Sequence, residues 1–110
     1  MGKTVKHDSS FFKGKTAIIT GASTGIGLGL SRGLLARGAE VYMSSRTPEN
    51  IAAAAESLRQ YDGRVYAQVL DVRDEDAVRK HIRYVGSRGP IDYIFCNAGV
   101  GFGQAFTVTK

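Results

Sequence analysis

Ser23 stands in Gly21-Ala22-Ser23-Thr24-Gly25, the G-x-S-x-G spacing that presents a nucleophilic serine on a sharp strand-to-helix turn. The same stretch, T-G-A-S-T-G-I-G from Thr20 to Gly27, also spaces Gly21, Gly25 and Gly27 as a phosphate-binding turn. The two readings need different company. A hydrolase needs an acid and a later His within reach of the serine. Only His81 follows, in the middle of an expected helix, and no HGGG-type segment precedes the turn. A phosphate cradle needs less: glycines that let backbone N–H groups approach, and a helix whose positive end points at the anion. The hydrolase reading is rejected and the cradle retained.

Three further patterns compete for attention. Gly14-Lys15-Thr16 resembles the end of a P-loop, but Ser9 stands where the first glycine belongs and a strand follows instead of a helix. Gly25, Gly29 and Gly33 form a small-residue stripe that Arg32 interrupts, which argues against membrane dimerisation. Interior helix glycines cost about 1 kcal/mol each, so close packing on a sheet is the expected reason for Gly29 and Gly33. His7 and His81 have no metal-ligand spacing, and no metal is expected.

The elements that must position these residues follow from periodicity. Thr16–Thr20 is a short apolar, β-branched strand, and Ile26–Arg37 a helix with Ile26, Leu30 and Leu34 on one face and Gly38 as its C-terminal cap. Val41–Ser44 is a second strand. Thr47-Pro48-Glu49 opens a second helix, with a hydroxyl at the cap, running through Ile51–Leu58. Asp62-Gly63 is a turn and Val65–Leu70 a third strand. Asp74 caps a third helix, with Val78, Ile82 and Val85 along one face, and Ile91–Cys96 is a fourth strand. Strands alternating with helices predict an α/β fold with a parallel sheet and helices on both faces.

Composition narrows the class further. At 110 residues, 43% hydrophobic and 23% charged, one small globular domain is expected. The formal charge of +5 is spread along the chain among acids such as Asp74, Glu75 and Asp76. There is no basic run and no base-stacking motif, so nucleic acid is not an expected partner. No stretch is long and apolar enough for a membrane span. One cysteine, Cys96, allows no internal disulfide and fits a reducing cytoplasm.

Taken together, the chain resembles the short-chain dehydrogenase/reductase family. Thr20–Gly27 is similar to that family's cofactor turn, and Leu35–Val41 to its first helix-to-strand junction. Asp71-Val72 matches the step after the third strand, and Cys96-Asn97-Ala98-Gly99 its N-N-A-G segment with Cys in the first place. The resemblance implies a Rossmann-type doubly wound parallel sheet, partial here, with order 3-2-1-4 and three helices. It divides the chain into a polar tail over 1–14 and a nucleotide-binding half-domain over 15–110. The order reverses between the first and fourth strands, and ligands bind at such a switch point. The implied cofactor-binding residues are Gly21, Ser23, Thr24, Gly25, Ile26, Gly27, Ser45, Arg46, Asp71, Val72, Asn97, Ala98 and Gly99. Asp71 is the one the family sets against the adenine ring.

The end of the second strand bears on which dinucleotide binds. NAD selection uses a carboxylate there for the ribose 2′-OH. This chain has Ser45 and then Arg46, which can grip a 2′-phosphate, so NADP(H) is expected over NAD(H). The place before the second glycine, basic in some relatives, holds Thr24.

Family members interconvert carbonyl and alcohol groups by hydride transfer with Ser and Tyr-x-x-x-Lys. Neither element is found in these 110 residues: Tyr42 and Tyr84 are each followed four places on by Arg46 and Arg88. No catalytic residue is assigned, and the chain alone is expected to be inactive, its substrate unreadable. Its fourth strand would form an unfinished apolar edge and favour self-association. A non-catalytic nucleotide-binding or interaction half-domain is the alternative reading.

Overall fold

The computed structural model describes residues 11–96. Asn97, Ala98 and Gly99, three of the expected site residues, lie outside the described residues. Four strands, β1 (Thr16–Thr20), β2 (Glu40–Ser45), β3 (Val65–Val69) and β4 (Tyr93–Cys96), alternate with helices α1 (Gly25–Ala36), α2 (Pro48–Ser57) and α3 (Glu75–Arg88). All pairings are parallel and the sheet order is β3-β2-β1-β4, as expected. The order reverses beside β1, which separates β2 from β4.

Alternation along each strand builds two cores. Ala17, Ile19, Val41 and Met43 face one way and meet Leu34 and Leu35 of α1 and Ile51 and Ala54 of α2. Ile18 and Tyr42 face the other way, with Val85 of α3 and Ile91. The helices therefore cover both faces. Burial of each large apolar side chain contributes about 1.5–3 kcal/mol, so the face carrying α1 and α2 supplies most of the cohesion. Phe12 packs against that same cluster.

Local chemistry sets the ends of the helices. The Gly38 N–H donates to the Leu35 carbonyl at 3.1 Å and the Ala39 N–H to the Leu34 carbonyl at 3.1 Å. With Gly38 at φ +94°, this is a Schellman ending that returns the chain into β2. Asp74 caps α3 by accepting the Ala77 N–H at 3.1 Å. Asp92 joins β4 to β1: its carboxylate accepts the Thr16 N–H and its own N–H donates to the Thr16 carbonyl, both at 2.9 Å.

The structure corrects several local expectations. Thr47 does not cap α2 through its hydroxyl. Instead its N–H donates to the Ser45 Oγ at 3.3 Å, because the chain turns tightly after β2. Ile26 is not a core residue of α1; it is 75% exposed, in the helix's first turn at the carboxyl end of the sheet. Close packing does not explain Gly29, whose Cβ would meet no described atom within 4 Å. The tight position is Gly27. A Cβ there would run into the Gly21 carbonyl oxygen and sit 2.9 Å from the Ala22 Cα. On α3, His81 and Val85 are buried, whereas Val78 and Ile82 are only half-buried. No helix among the described residues is long and apolar enough to cross a membrane.

Candidate cofactor site

At the carboxyl end of β1 the chain must reverse direction and enter α1 within four residues. Gly21 and Gly25 manage this at φ +62° and +58°, where side chains are strained. The Ala22 N–H donates to the Ser44 carbonyl at 2.9 Å, and the Ser23 hydroxyl to the Ser45 Oγ at 3.2 Å. The turn is thereby fastened to the end of β2. Ser45 is buried, and its Oγ also takes the Thr47 N–H. The Leu70 N–H reaches the Ser45 carbonyl at 2.9 Å, which brings the end of β3 alongside. Hydrogen bonds thus join the glycine turn to the end of β2 and the end of β2 to the end of β3, and Arg46 and the Asp71-Val72 step follow those ends in the chain.

The start of α1 fits an anionic group. First-turn N–H groups have no intrahelical partner. Thr24 makes no side-chain cap there, and no acid occupies the first turn. The other helices differ: Glu49 lies in the first turn of α2, and Asp74, Glu75 and Asp76 gather at the start of α3. Gly25 has open space where its Cβ would be, so no side chain blocks approach to these N–H groups. Five large hydrophobic residues are exposed among the described ones, and three stand at this end of the sheet: Ile26 at 75%, Val69 at 50% and Val72 at 45%. Apolar surface gathered beside an uncapped helix start suits a ligand that is anionic in the middle and flat at the end. The residues present therefore fit a dinucleotide.

Asp71 is held firmly. Arg73 donates from Nε to Oδ1 at 3.0 Å and from Nη2 to Oδ2 at 2.9 Å, and its backbone N–H adds a bond to Oδ1 at 3.0 Å. These bonds bring the Asp71 pKa down to about 2, with Arg46 adding a smaller contribution. Arg46 is exposed and takes part in none of the ion pairs among the described residues. The sequence reading missed Arg73, although an Asp followed two places on by Arg is a visible signal.

The nucleophile reading of Ser23 finds no support. Its hydroxyl donates to another serine. His81 is buried in α3 with neither ring nitrogen hydrogen-bonded, and burial lowers its pKa. Tyr42 is no acid–base group either. Its hydroxyl accepts the Arg88 Nε at 2.6 Å, and burial pushes its pKa up, with Arg88 only partly opposing.

This geometry agrees with comparison to known proteins. The family described as short chain dehydrogenase matches residues 15–110. The chain belongs to the short-chain dehydrogenase family. It is 39% identical over 98 residues to gluconate 5-dehydrogenase of Gluconobacter oxydans, covering 87% of this chain and 38% of that protein. The L-sorbose reductase of Gluconobacter frateurii, solved with NADPH and L-sorbose, superposes with a TM-score of 0.72 at 35% identity. That match covers 84% of this chain and 36% of the reductase. An NAD+-bound xylitol dehydrogenase superposes with a TM-score of 0.74 at 32% identity, covering 81% of this chain and 35% of that one. This short-chain dehydrogenase sequence thus spans well under half the length of the relatives it matches. The two solved relatives hold different dinucleotides, so family membership alone leaves the choice of cofactor to this chain's own residues.

Proposed function

We propose that residues 15–110 form the nucleotide-binding half of an NADP(H)-dependent oxidoreductase. When bound, the cofactor supplies or accepts the hydride that interconverts a carbonyl and an alcohol. The chain's own residues grip and orient it. Gly21, Gly25 and Gly27 open the turn, and the N–H groups at the start of α1 meet the pyrophosphate. Ser23, Thr24 and Ile26 line the approach, and Ser45 ties the turn to the ends of β2 and β3. Asp71 and Val72 border the adenine, and Asn97, Ala98 and Gly99 are assigned to the cofactor from the family resemblance of their segment. The supporting observation is the uncapped, acid-free start of α1 behind a glycine turn that is hydrogen-bonded to the end of β2.

The preference for NADP(H) rests on Arg46. It stands exposed immediately after β2, next to Ser45, which fills the place at the strand's end where an NAD-selecting site has a carboxylate. Arg46→Glu tests it. The variant should lose NADPH affinity by tenfold or more while gaining affinity for NADH, read by calorimetric titration. Unchanged NADPH affinity would end the assignment. The chain by itself is expected to bind without turnover, since Tyr42 and Tyr84 are not followed by the lysine that family chemistry uses. We also infer self-association through β4, whose four residues are each only half-buried. A reducing, cytoplasmic setting suits the free thiol of Cys96.

A further inference from the structure

Three buried side-chain atoms lack a hydrogen-bond partner among the described residues: Ser44 Oγ and both ring nitrogens of His81. They lie in one layer, between α3 and the sheet. Ser44 follows Tyr42 by two places in β2 and shares its face, the one that α3 covers. His81 and Val85 are the buried residues of α3, one turn apart, and Val85 packs with Ile18 and Tyr42. The helix runs back from the carboxyl ends of the strands to their amino ends. His81 therefore lies to the carboxyl side of Val85, as Ser44 does of Tyr42. Backbone bonds connect this layer to the cofactor site at two places. The Ser44 carbonyl accepts the Ala22 N–H of the glycine turn at 2.9 Å, and the Asp74 N–H that opens α3 donates to the Asp71 carbonyl at 3.0 Å.

A protonated His81 would carry two donors and a charge into this layer, and a buried charge is tolerated only when it is paired. The facing strands offer it no anion nearby. On this face β1 presents Ile18 and Thr20, and β2 presents Tyr42, whose hydroxyl already accepts the Arg88 Nε. Tyr66 and Gln68 come from β3 and Cys96 from β4. Glu40 and Asp92 stand at the far, amino-terminal edge, where Asp92 accepts the Thr16 N–H. Within α3 the residues one turn from His81 are Ala77, Val78, Tyr84 and Val85, and Arg79, Lys80 and Arg83 are exposed. We propose that His81 is a proton-sensitive positioning residue: neutral, it lets α3 rest on the sheet behind the glycine turn; protonated, it lifts α3 and weakens the hold on the dinucleotide. The inference rests on the reading of Thr20–Gly27 as a dinucleotide grip and adds its regulation. Burial lowers the His81 pKa in the folded chain, so the seated helix is favoured above about pH 6.5 and loses ground as pH falls.

The test titrates NADP+ into the 110-residue chain by calorimetry at pH 7.5 and pH 5.5. The ligand's own 2′-phosphate titrates in this range, but identically for parent and variants. A solvated imidazole titrates near 6.5, so the lifted state gains up to about tenfold at pH 5.5. Parent affinity should therefore fall about three- to tenfold further than that of His81→Leu or His81→Gln, with all three alike within about twofold at pH 7.5. Reciprocity supplies a second readout. Saturating NADP+ should lower the His81 midpoint, followed by NMR of the ring C–H signals, by about half a unit for a threefold effect and about one unit for tenfold. His7, the other histidine, serves as the control. Failure of NADP+ to bind at either pH would overturn the dinucleotide reading and this inference with it. Binding at pH 7.5 with a parallel acid loss in parent and both variants would overturn the inference alone. So would a His81 midpoint that does not move on saturation.

Discussion

Alanine at Gly27 and alanine at Gly29 should have opposite effects, though both sit in α1 two residues apart. Gly27 is buried, and a Cβ there would meet the Gly21 carbonyl oxygen, the Ala22 Cα at 2.9 Å and the Gly21 carbonyl carbon at 3.1 Å. All three are backbone atoms and cannot swing aside, so either the turn or the helix must move. Overpacking of this kind costs about 1–3 kcal/mol. Alanine returns about 1 kcal/mol through helix propensity, which leaves Gly27→Ala destabilised by up to about 2 kcal/mol. At Gly29 the Cβ would meet no described atom within 4 Å, so only the propensity gain remains and Gly29→Ala should be more stable by about 0.5–1 kcal/mol. Paired denaturant melts of the two variants read the difference directly. NADPH titration should show weakened binding only for Gly27→Ala, since the turn that moves is the one proposed to hold the pyrophosphate. If both variants gained equal stability, the contact between α1 and the turn would not be the constraint inferred for it.

His81 should make stability depend on pH. Burial lowers its folded-state pKa below the unfolded value of about 6.5. The unfolded chain therefore binds the proton more readily, and stability should fall as pH drops from about 6.5 toward the folded value. His81→Leu should remove that slope and raise stability at pH 5, because it also removes two buried nitrogens without hydrogen-bond partners. A slope unchanged in His81→Leu melts would assign it elsewhere. The 110-residue chain should also sediment as more than a monomer at tens of micromolar. A single monomeric boundary with a cooperative melt would contradict association through β4.

The strands and helices were legible because β1 and β2 are short runs buried on both faces and α1 and α2 repeat their buried residues at helical spacing. The glycine turn was legible for a related reason: glycines clustered between an apolar strand and a helix have few other uses. Ile26 shows where that reading stops. Its spacing with Leu30 and Leu34 specifies a helix face, but not that the sheet ends before the first turn. Gly29 misled in the same manner, since a small-residue stripe does not say which member is crowded; the structure puts the crowding at Gly27. Tyr42 and Arg88 lie 46 positions apart, and their hydrogen bond arises only when α3 folds back over β2. Within the site, Arg46 and Asp71 were recognisable from their places after strands. That Arg73 closes on Asp71 was written two residues away.

The central claim is that Thr20–Gly27 is a grip for a dinucleotide pyrophosphate. Amide NMR of the labelled chain during NADPH titration tests it most directly. Saturable shifts concentrated on the N–H groups of Gly21, Ser23, Gly25, Ile26 and Gly27, with smaller ones at Arg46 and Val72, are the predicted result. Saturable shifts that spare this turn, or no shifts at millimolar NADPH, would contradict it.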